Sequence, residues 1–326
     1  MGTVLVIAAP GQGAQKPGFL QPWLQVPGFA DRLTWWSAVT GLDLVRYGTT
    51  ADEAEIRDTA VAQPLLVAAA LAAAAELAPT SDVAAGHGPV AVGDGVVAAG
   101  HSVGELAAAA LAGVLSSETA LVFVRERGRA MAGAAAVTET GMTAVLGGQP
   151  DDVLAAIAKH DLTPANINGA GQIVAAGTLP RLAAFADDPP AGARLRPLQV
   201  AGAFHTDHML PAVDVLRRLV PGMPVADPRT RLLSNGDGAV ITAGTEYVAH
   251  LVDQVSRPVR WDACMSTMDE LGVTALIELP PAGTLVNLAK RVLPDVERVA
   301  LKTPDDLERA RELIRAHSGQ AQEGDQ

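Results

Sequence analysis

The 326-residue sequence predicts an α/β fold with a parallel sheet. Short continuous apolar runs at Thr3–Ala9, Val96–Ala99 and Ala275–Glu278 suit strands covered on both faces. Helix-length segments separate them, and parallel neighbours need such crossovers. The second run passes at once through Gly100-His101-Ser102-Val103-Gly104 into the alanine-rich stretch Leu106–Ala112, which makes a strand, a sharp turn and a helix.

Taken in order, Thr3–Ala9 reads as the first strand and opens into the glycine-rich loop Pro10-Gly11-Gln12-Gly13-Ala14-Gln15. A dinucleotide fingerprint needs glycine where Lys16 stands, and no Gly-Lys-Ser/Thr follows a glycine pair, so a phosphate-binding role fails. Leu65–Ala75 is the longest apolar stretch; it stops at Glu76, short of the roughly 20 residues that span a bilayer. Residues 78–94 form a Gly/Pro-rich connection to the strand Val96–Ala99, and beyond Ser102 a helix is predicted over 118–136.

From 137 to 204 the rhythm changes. Met142–Leu146 reads as a strand, Pro150–Lys159 as a helix, Ala165–Ile167 and Gln172–Ala176 as strands around Asn168-Gly169, Pro180–Phe185 as a helix, and Leu195–Val200 as a strand. This βαββαβ order is ferredoxin-like. It predicts a small subdomain, 137–204, inserted into an α/β-hydrolase-like catalytic domain formed by 1–136 and 205–317, with a flexible polar tail over 318–326. The insertion returns the chain at His205, a junction where clefts form.

A hydrophobic content of 49% supports a large core. The net charge of −12 argues against nucleic acid, whose phosphates need a basic surface. An acidic protein partner would need a local basic patch; Arg125, Arg129, Lys290 and Arg291 are its candidates, though each alone is an ordinary solvated side chain. The single cysteine, Cys264, excludes an internal disulfide and a cysteine-based zinc site, and no metal or redox cofactor is expected. The first apolar run has no basic flank, so it reads as a strand, not a signal peptide, and a cytoplasmic location is expected.

The turn at Ser102 is a nucleophile elbow, which forces its serine into a strained, exposed conformation. Glycines stand at 100 and 104 because side chains there would collide with the neighbouring strand and helix. The helix beyond aims free N–H groups at negative charge developing beside the serine oxygen. A serine hydroxyl needs a base. His87, His160, His250 and His317 sit in polar or loop-like settings, and His101 points away from Ser102 if the strand pleat persists. His205 emerges from the subdomain junction just before Thr206-Asp207, a plausible helix N-cap, and is the favoured base. A metal site of His205, Asp207 and His208 lacks a third well-placed ligand. Backbone N–H groups of Gln12 and Val103 are the expected oxyanion hole, each such donor contributing on the order of 3 kcal/mol. Arg127 lies in an apolar stripe with Ala120, Phe123, Val124, Ala130, Met131 and Ala134, while Arg125 and Arg129 face elsewhere. Its guanidinium must find a partner. Helical geometry alone leaves two readings open, a structural ion pair and a bidentate clamp on a substrate carboxylate.

These pieces together make the chain resemble the malonyl-CoA:acyl carrier protein transacylases, most closely the discrete actinobacterial type. The matching stretches are Gly11–Gln15, Gln63-Pro64, Gly100–Glu105, Arg127-Gly128 with Met131, Asn168–Gly177, Gly202–His205, Ser234-Asn235, and Gln254 before Pro258-Val259 and Trp261. The resemblance implies Ser102 as nucleophile and His205 as base. It also implies Gln12 and Val103 as oxyanion donors, Arg127 as the clamp on the malonyl carboxylate, and Gln254 as the residue whose main-chain carbonyl orients the histidine. Phe204 matches the position associated with malonyl preference, where a ring crowds an α-methyl branch. Acyl carrier protein and malonyl-CoA are the implied partners, and a monomer is expected. The stretch Leu279–Gly283 departs from the glycine-richer family pattern.

Two other classes share some of these features. A serine hydrolase has the same elbow but little use for a buried cation beside its acyl pocket. A non-catalytic docking module of this fold has no reason to keep Ser102, His205 and Arg127 together.

Overall fold

The computed structural model describes residues 3–77, 95–200 and 202–318. The predicted connection over 78–94 and the tail beyond Ser318 lie outside the described residues; Ser318 itself ends the helix Leu307–Ser318.

In chain order the strands are β1 (Val4–Ala9), β2 (Val96–Gly100), β3 (Thr140–Gly147), β4 (Thr163–Gly169), β5 (Gln172–Thr178) and β6 (Ala193–Pro197), followed by β7 (Arg231–Leu233), β8 (Val240–Ile241), β9 (Val259–Arg260), β10 (Val273–Glu278) and β11 (Glu297–Ala300). Among the described residues they form two sheets. The larger runs β11-β10-β1-β2-β7-β8, parallel except for the edge strand β8. β1 lies at its centre, with Ile7 registered against Ile277 of β10 and Ala98 of β2. Every residue of β1 is buried, as a strand covered on both faces must be.

Helices cover this sheet. Thr59–Ala75, capped by the Asp58 side chain on the Ala60 N–H, is buried nearly all round, which explains its apolar sequence from Pro64 onward. It packs against Ser117–Ala135, which starts where the Ser116 side chain accepts from the Thr119 N–H. The predicted span of 118–136 is displaced by one residue. Buried positions of this helix include Ala120, Phe123, Val124, Arg127, Met131 and Ala134, the stripe read from the sequence apart from a half-buried Ala130.

The smaller sheet runs β6-β3-β5-β4-β9. Its first four strands are antiparallel and enclose the helices Pro150–Lys159 and Leu179–Asp187 in the order strand, helix, strand, strand, helix, strand. The fifth strand, β9, pairs parallel to β4 and comes from the chain well beyond His205. Two local expectations differ. The hairpin turn falls at Ala170-Gly171, with φ of 52° and 70°, so Asn168 stays in the strand. β6 ends at Pro197 and not at Val200, although the Leu198 N–H still donates to the Met142 carbonyl at 2.9 Å.

Candidate active site

At the carboxyl end of β2 the chain turns within four residues into the helix Gly104–Leu111. A Cβ on Gly100 would lie 2.1 Å from the Gly104 carbonyl carbon, and one on Gly104 would lie 2.2 Å from the Ala9 carbonyl oxygen. No side chain fits either place. The tight turn holds Ser102 at φ 52°, a left-handed conformation costly for serine. Asn235 secures it: its Oδ1 accepts from the Ser102 N–H at 2.7 Å, and its Nδ2 donates to the Gly100 carbonyl at 2.8 Å.

Ser102 Oγ lies 2.8 Å from His205 Nε2. His205 is also left-handed, with φ 62°, and only 3% exposed. Its Nδ1–H donates to the Gln254 main-chain carbonyl at 2.8 Å, which leaves Nε2 free to accept the serine proton. Burial, and next the charge of Arg127, push its pKa down to about 3, so the ring is a neutral base throughout the working range.

Arg127, 2% exposed, projects from Ser117–Ala135 toward the same cleft. Its Nη1 donates to Gln63 Oε1 at 2.5 Å and its Nη2 to Gln254 Oε1 at 2.8 Å. No carboxylate pairs with it directly among the described residues, so the structural ion pair left open by the helical pattern is not formed. Two amide bonds occupy two of the five guanidinium N–H groups, leaving three. Burial lowers its pKa only to about 10, so it remains a cation at neutral pH.

Behind these residues lies Glu105, 1% exposed, in the first turn of the helix that follows Ser102. Its carboxyl accepts from the Asn235 N–H at 2.7 Å, from Gln254 Nε2, and weakly from Tyr247 OH at 3.4 Å. Burial raises its pKa to about 8, while the Asn235 and Gln254 bonds and the Arg127 charge oppose the rise.

The cleft beside Ser102 has a volume of about 230 Å³. Gln12, Val103, Arg127 and His205 line it from the larger body, Met142, Asn166 and Val174 from the smaller sheet, and Phe204 from the junction between them. All the residues expected from the sequence therefore border one cleft, except Gln254, which stands directly behind it and touches both His205 and Arg127. Val103 precedes the first turn of its helix, where N–H groups have no intrahelical acceptor. His101 differs from expectation. The left-handed Ser102 breaks the strand pleat, so His101 also lines the cleft, with its Nε2 2.8 Å from Asn168 Oδ1. Thr206 caps the short helix Asp207–Met209, as its sequence suggests, and His208 faces partly to solvent. No group of three His, Cys, Asp or Glu side chains among the described residues is arranged to hold a metal ion.

Sequence reasoning gave no individual role to Gln63, Glu105, Asn235 or the side chain of Gln254. One signal was present for Glu105, a charged residue opening an otherwise apolar, alanine-rich helix, a position that demands buried partners.

A strained serine at a strand-to-helix elbow, a neutral histidine on its oxygen and a cation with no directly paired carboxylate in the same cleft define a serine enzyme that handles an anionic acyl group. Comparison with known proteins places it more closely. The family described as acyl transferase domain matches residues 9–311. The "Malonyl CoA-acyl carrier protein transacylase" of Mycobacterium bovis is 50% identical over 305 residues, 94% of this chain and 98% of that protein. The protein of the same name from Mycolicibacterium smegmatis is 47% identical over 293 residues, 89% and 98% of the two chains. The crystal structure of MCAT from Mycobacterium tuberculosis superposes with a TM-score of 0.88 at 50% identity, covering 94% of this chain and 99% of that one. A malonyl-transacylase solved in complex with a type II PKS acyl-carrier protein gives a TM-score of 0.85 at 28% identity, covering 95% and 100%. The chain belongs to the acyl transferase family, among its malonyl CoA-acyl carrier protein transacylases. It is an acyltransferase.

Proposed function

We propose that this enzyme transfers the malonyl group from malonyl-CoA to the phosphopantetheine thiol of acyl carrier protein, supplying extender units for fatty acid or polyketide synthesis. The observation that carries this reading is Arg127, a buried cation held by two neutral amides in the cleft of Ser102. A carboxylate on the incoming acyl group would complete its coordination.

In this mechanism Ser102 Oγ attacks the thioester carbonyl carbon as His205 Nε2 takes its proton. Gln12 and Val103 N–H groups hold the tetrahedral oxyanion. Its collapse breaks the carbon–sulfur bond, His205 returns the proton to the leaving thiolate, and a malonyl ester remains on Ser102. The carrier thiol then gives its proton to His205, attacks the ester carbonyl and releases Ser102, which recovers the proton. The main-chain carbonyl of Gln254 orients and supports His205 in place of a third carboxylate, and Phe204 crowds an α-branched acyl group. These steps use no metal or redox cofactor.

We read the larger body, 1–136 and 205–317, as α/β-hydrolase-like. The smaller, 137–204, is ferredoxin-like, supported by its helix placement and the strand order β6-β3-β5-β4. The enzyme is proposed to work as a cytoplasmic monomer, with the exposed Lys290 and Arg291 as part of the surface that meets the acidic carrier. Intact-protein mass spectrometry after exposure to malonyl-CoA tests the mechanism. The wild type should retain one malonyl adduct and Ser102→Ala none; equal adducts on both overturn the nucleophile. Steady release of free malonate without carrier protein would favour a hydrolase instead.

A further inference from the structure

Gln254 does two things at once. Its main-chain carbonyl accepts from His205 Nδ1, and its side-chain Oε1 accepts from Arg127 Nη2. The second task depends on orientation, since a flipped amide would present its NH₂ to a guanidinium, donor against donor. We propose that Glu105 is a positioning residue that locks the Gln254 amide in the orientation the Arg127 clamp needs, and so contributes to selection of a carboxylate-bearing acyl group.

Gln254 Nε2 donates to Glu105 Oε2 and, at 3.1 Å, to the Ser102 main-chain carbonyl. Both partners are acceptors, so the NH₂ end of the amide can point only there and the C=O end only at Arg127. Glu105 is itself fixed from its other oxygen by the Asn235 N–H, and Asn235 ties the elbow at Gly100 and Ser102. One carboxyl thus links the nucleophile's turn to the clamp. When ionised, above about pH 8, it is also the nearest balancing charge for Arg127, one amide away.

Its surroundings determine how this link responds to pH. Arg127 faces Glu105 through Gln254, His205 stands on the far side of Gln254, Tyr247 OH donates to the Glu105 carboxyl, and Cys264, beside Asn235, lies within reach of its charge. A cavity of about 470 Å³ opens on its other side, bordered by Asp237, His250, Asp253, Arg257 and Arg260. Arg127 keeps its charge up to about pH 10, His205 is neutral above about 3, and burial raises both the Tyr247 and Cys264 groups out of the neutral range. The Glu105 carboxyl itself, with its pKa raised to about 8 by burial, changes charge within the range pH 6 to 9. A protonated Glu105 carries an O–H donor toward a ring of donors and holds the amide less firmly.

This inference rests on the malonyl-transfer reading, and its test separates the two. Initial rates with malonyl-CoA and acetyl-CoA, and phosphopantetheinylated acyl carrier protein as acceptor, are compared for wild type, Glu105→Gln and Glu105→Asp between pH 6 and 9. Glu105→Gln brings an amide that must set a donor against either Gln254 or Asn235. Its malonyl-to-acetyl ratio of kcat/KM should fall about 10-fold at pH 9, the size of one misplaced charge-assisted hydrogen bond. The wild-type ratio should drop toward that of the variant as the pH is lowered through 8, the variant should be flat, and Glu105→Asp should restore part of the ratio. Equal losses for both acyl groups, or a wild-type ratio independent of pH, overturn the positioning role. If Glu105→Gln does not fold, the wild-type pH series and Glu105→Asp still decide. A wild type that transfers no malonyl group sinks the underlying reading instead.

Discussion

Replacing Arg127 by alanine isolates the clamp. The side chain is 2% exposed and spends two of its five N–H groups on Gln63 and Gln254, so three remain for an acyl carboxylate. Two charge-assisted hydrogen bonds to that carboxylate, at about 1.5 kcal/mol or more each, amount to about 3 kcal/mol, or ~10²-fold in kcat/KM for malonyl-CoA. Acetyl-CoA has no carboxylate and loses none of this, so the malonyl-to-acetyl ratio should fall by the same ~10²-fold. Stability falls too, because Gln63 Oε1 and Gln254 Oε1 lose a buried donor, at about 1–3 kcal/mol each. The assay is single-turnover acylation followed by intact mass, with a thermal melt to confirm folding. A folded variant whose ratio is unchanged refutes the clamp.

Four further outcomes follow from the geometry. With the His205 pKa lowered to about 3 by burial and the neighbouring Arg127, kcat/KM should show no acid limb near the ordinary histidine value of 6.5; a limb there would mean the base is solvated. For stability the sign is that of a depressed base: the unfolded chain takes up a proton below 6.5 that folded His205 refuses, so this residue makes the melting temperature fall with pH between 6.5 and about 3, measurable by comparison with His205→Ala. Phe204→Ala should raise methylmalonyl-CoA use relative to malonyl-CoA by about 10-fold, the ~1–3 kcal/mol a methyl group is worth in a pocket, as read by competition between the two thioesters. Asn235→Ala removes both ties across the elbow, at about 1 kcal/mol each, and should cut kcat with little change in KM; a selective rise in KM would place Asn235 at the substrate instead.

Much of this molecule is legible from its sequence wherever a property is local. Thr3–Ala9 and Ala275–Glu278 announce buried strands by unbroken hydrophobicity, and the elbow announces itself by glycines whose missing Cβ atoms the structure explains. Arg127 stood out because helical periodicity alone surrounds it with apolar neighbours. What was not legible depends on convergence. Gln63, Arg127 and Gln254 come from three distant segments, and no spacing shows that two glutamine amides would meet one guanidinium. The place of His101 on the cleft is not legible either, because it lies one residue beyond the strand, next to the left-handed Ser102, where alternation gives no direction. The hairpin was misplaced by two residues because Asn168-Gly169 looks like a stronger turn than Ala170-Gly171.

β9 begins only four residues after Gln254's neighbour Val255 and pairs with β4, whose Asn168 reaches back to His101 beside the nucleophile. The smaller layer is thus sewn to the larger one by a seam that starts at the support of the base and ends at the shoulder of the serine. Any parting of the two layers would therefore pull on the support of the proton acceptor and on the neighbour of the nucleophile together.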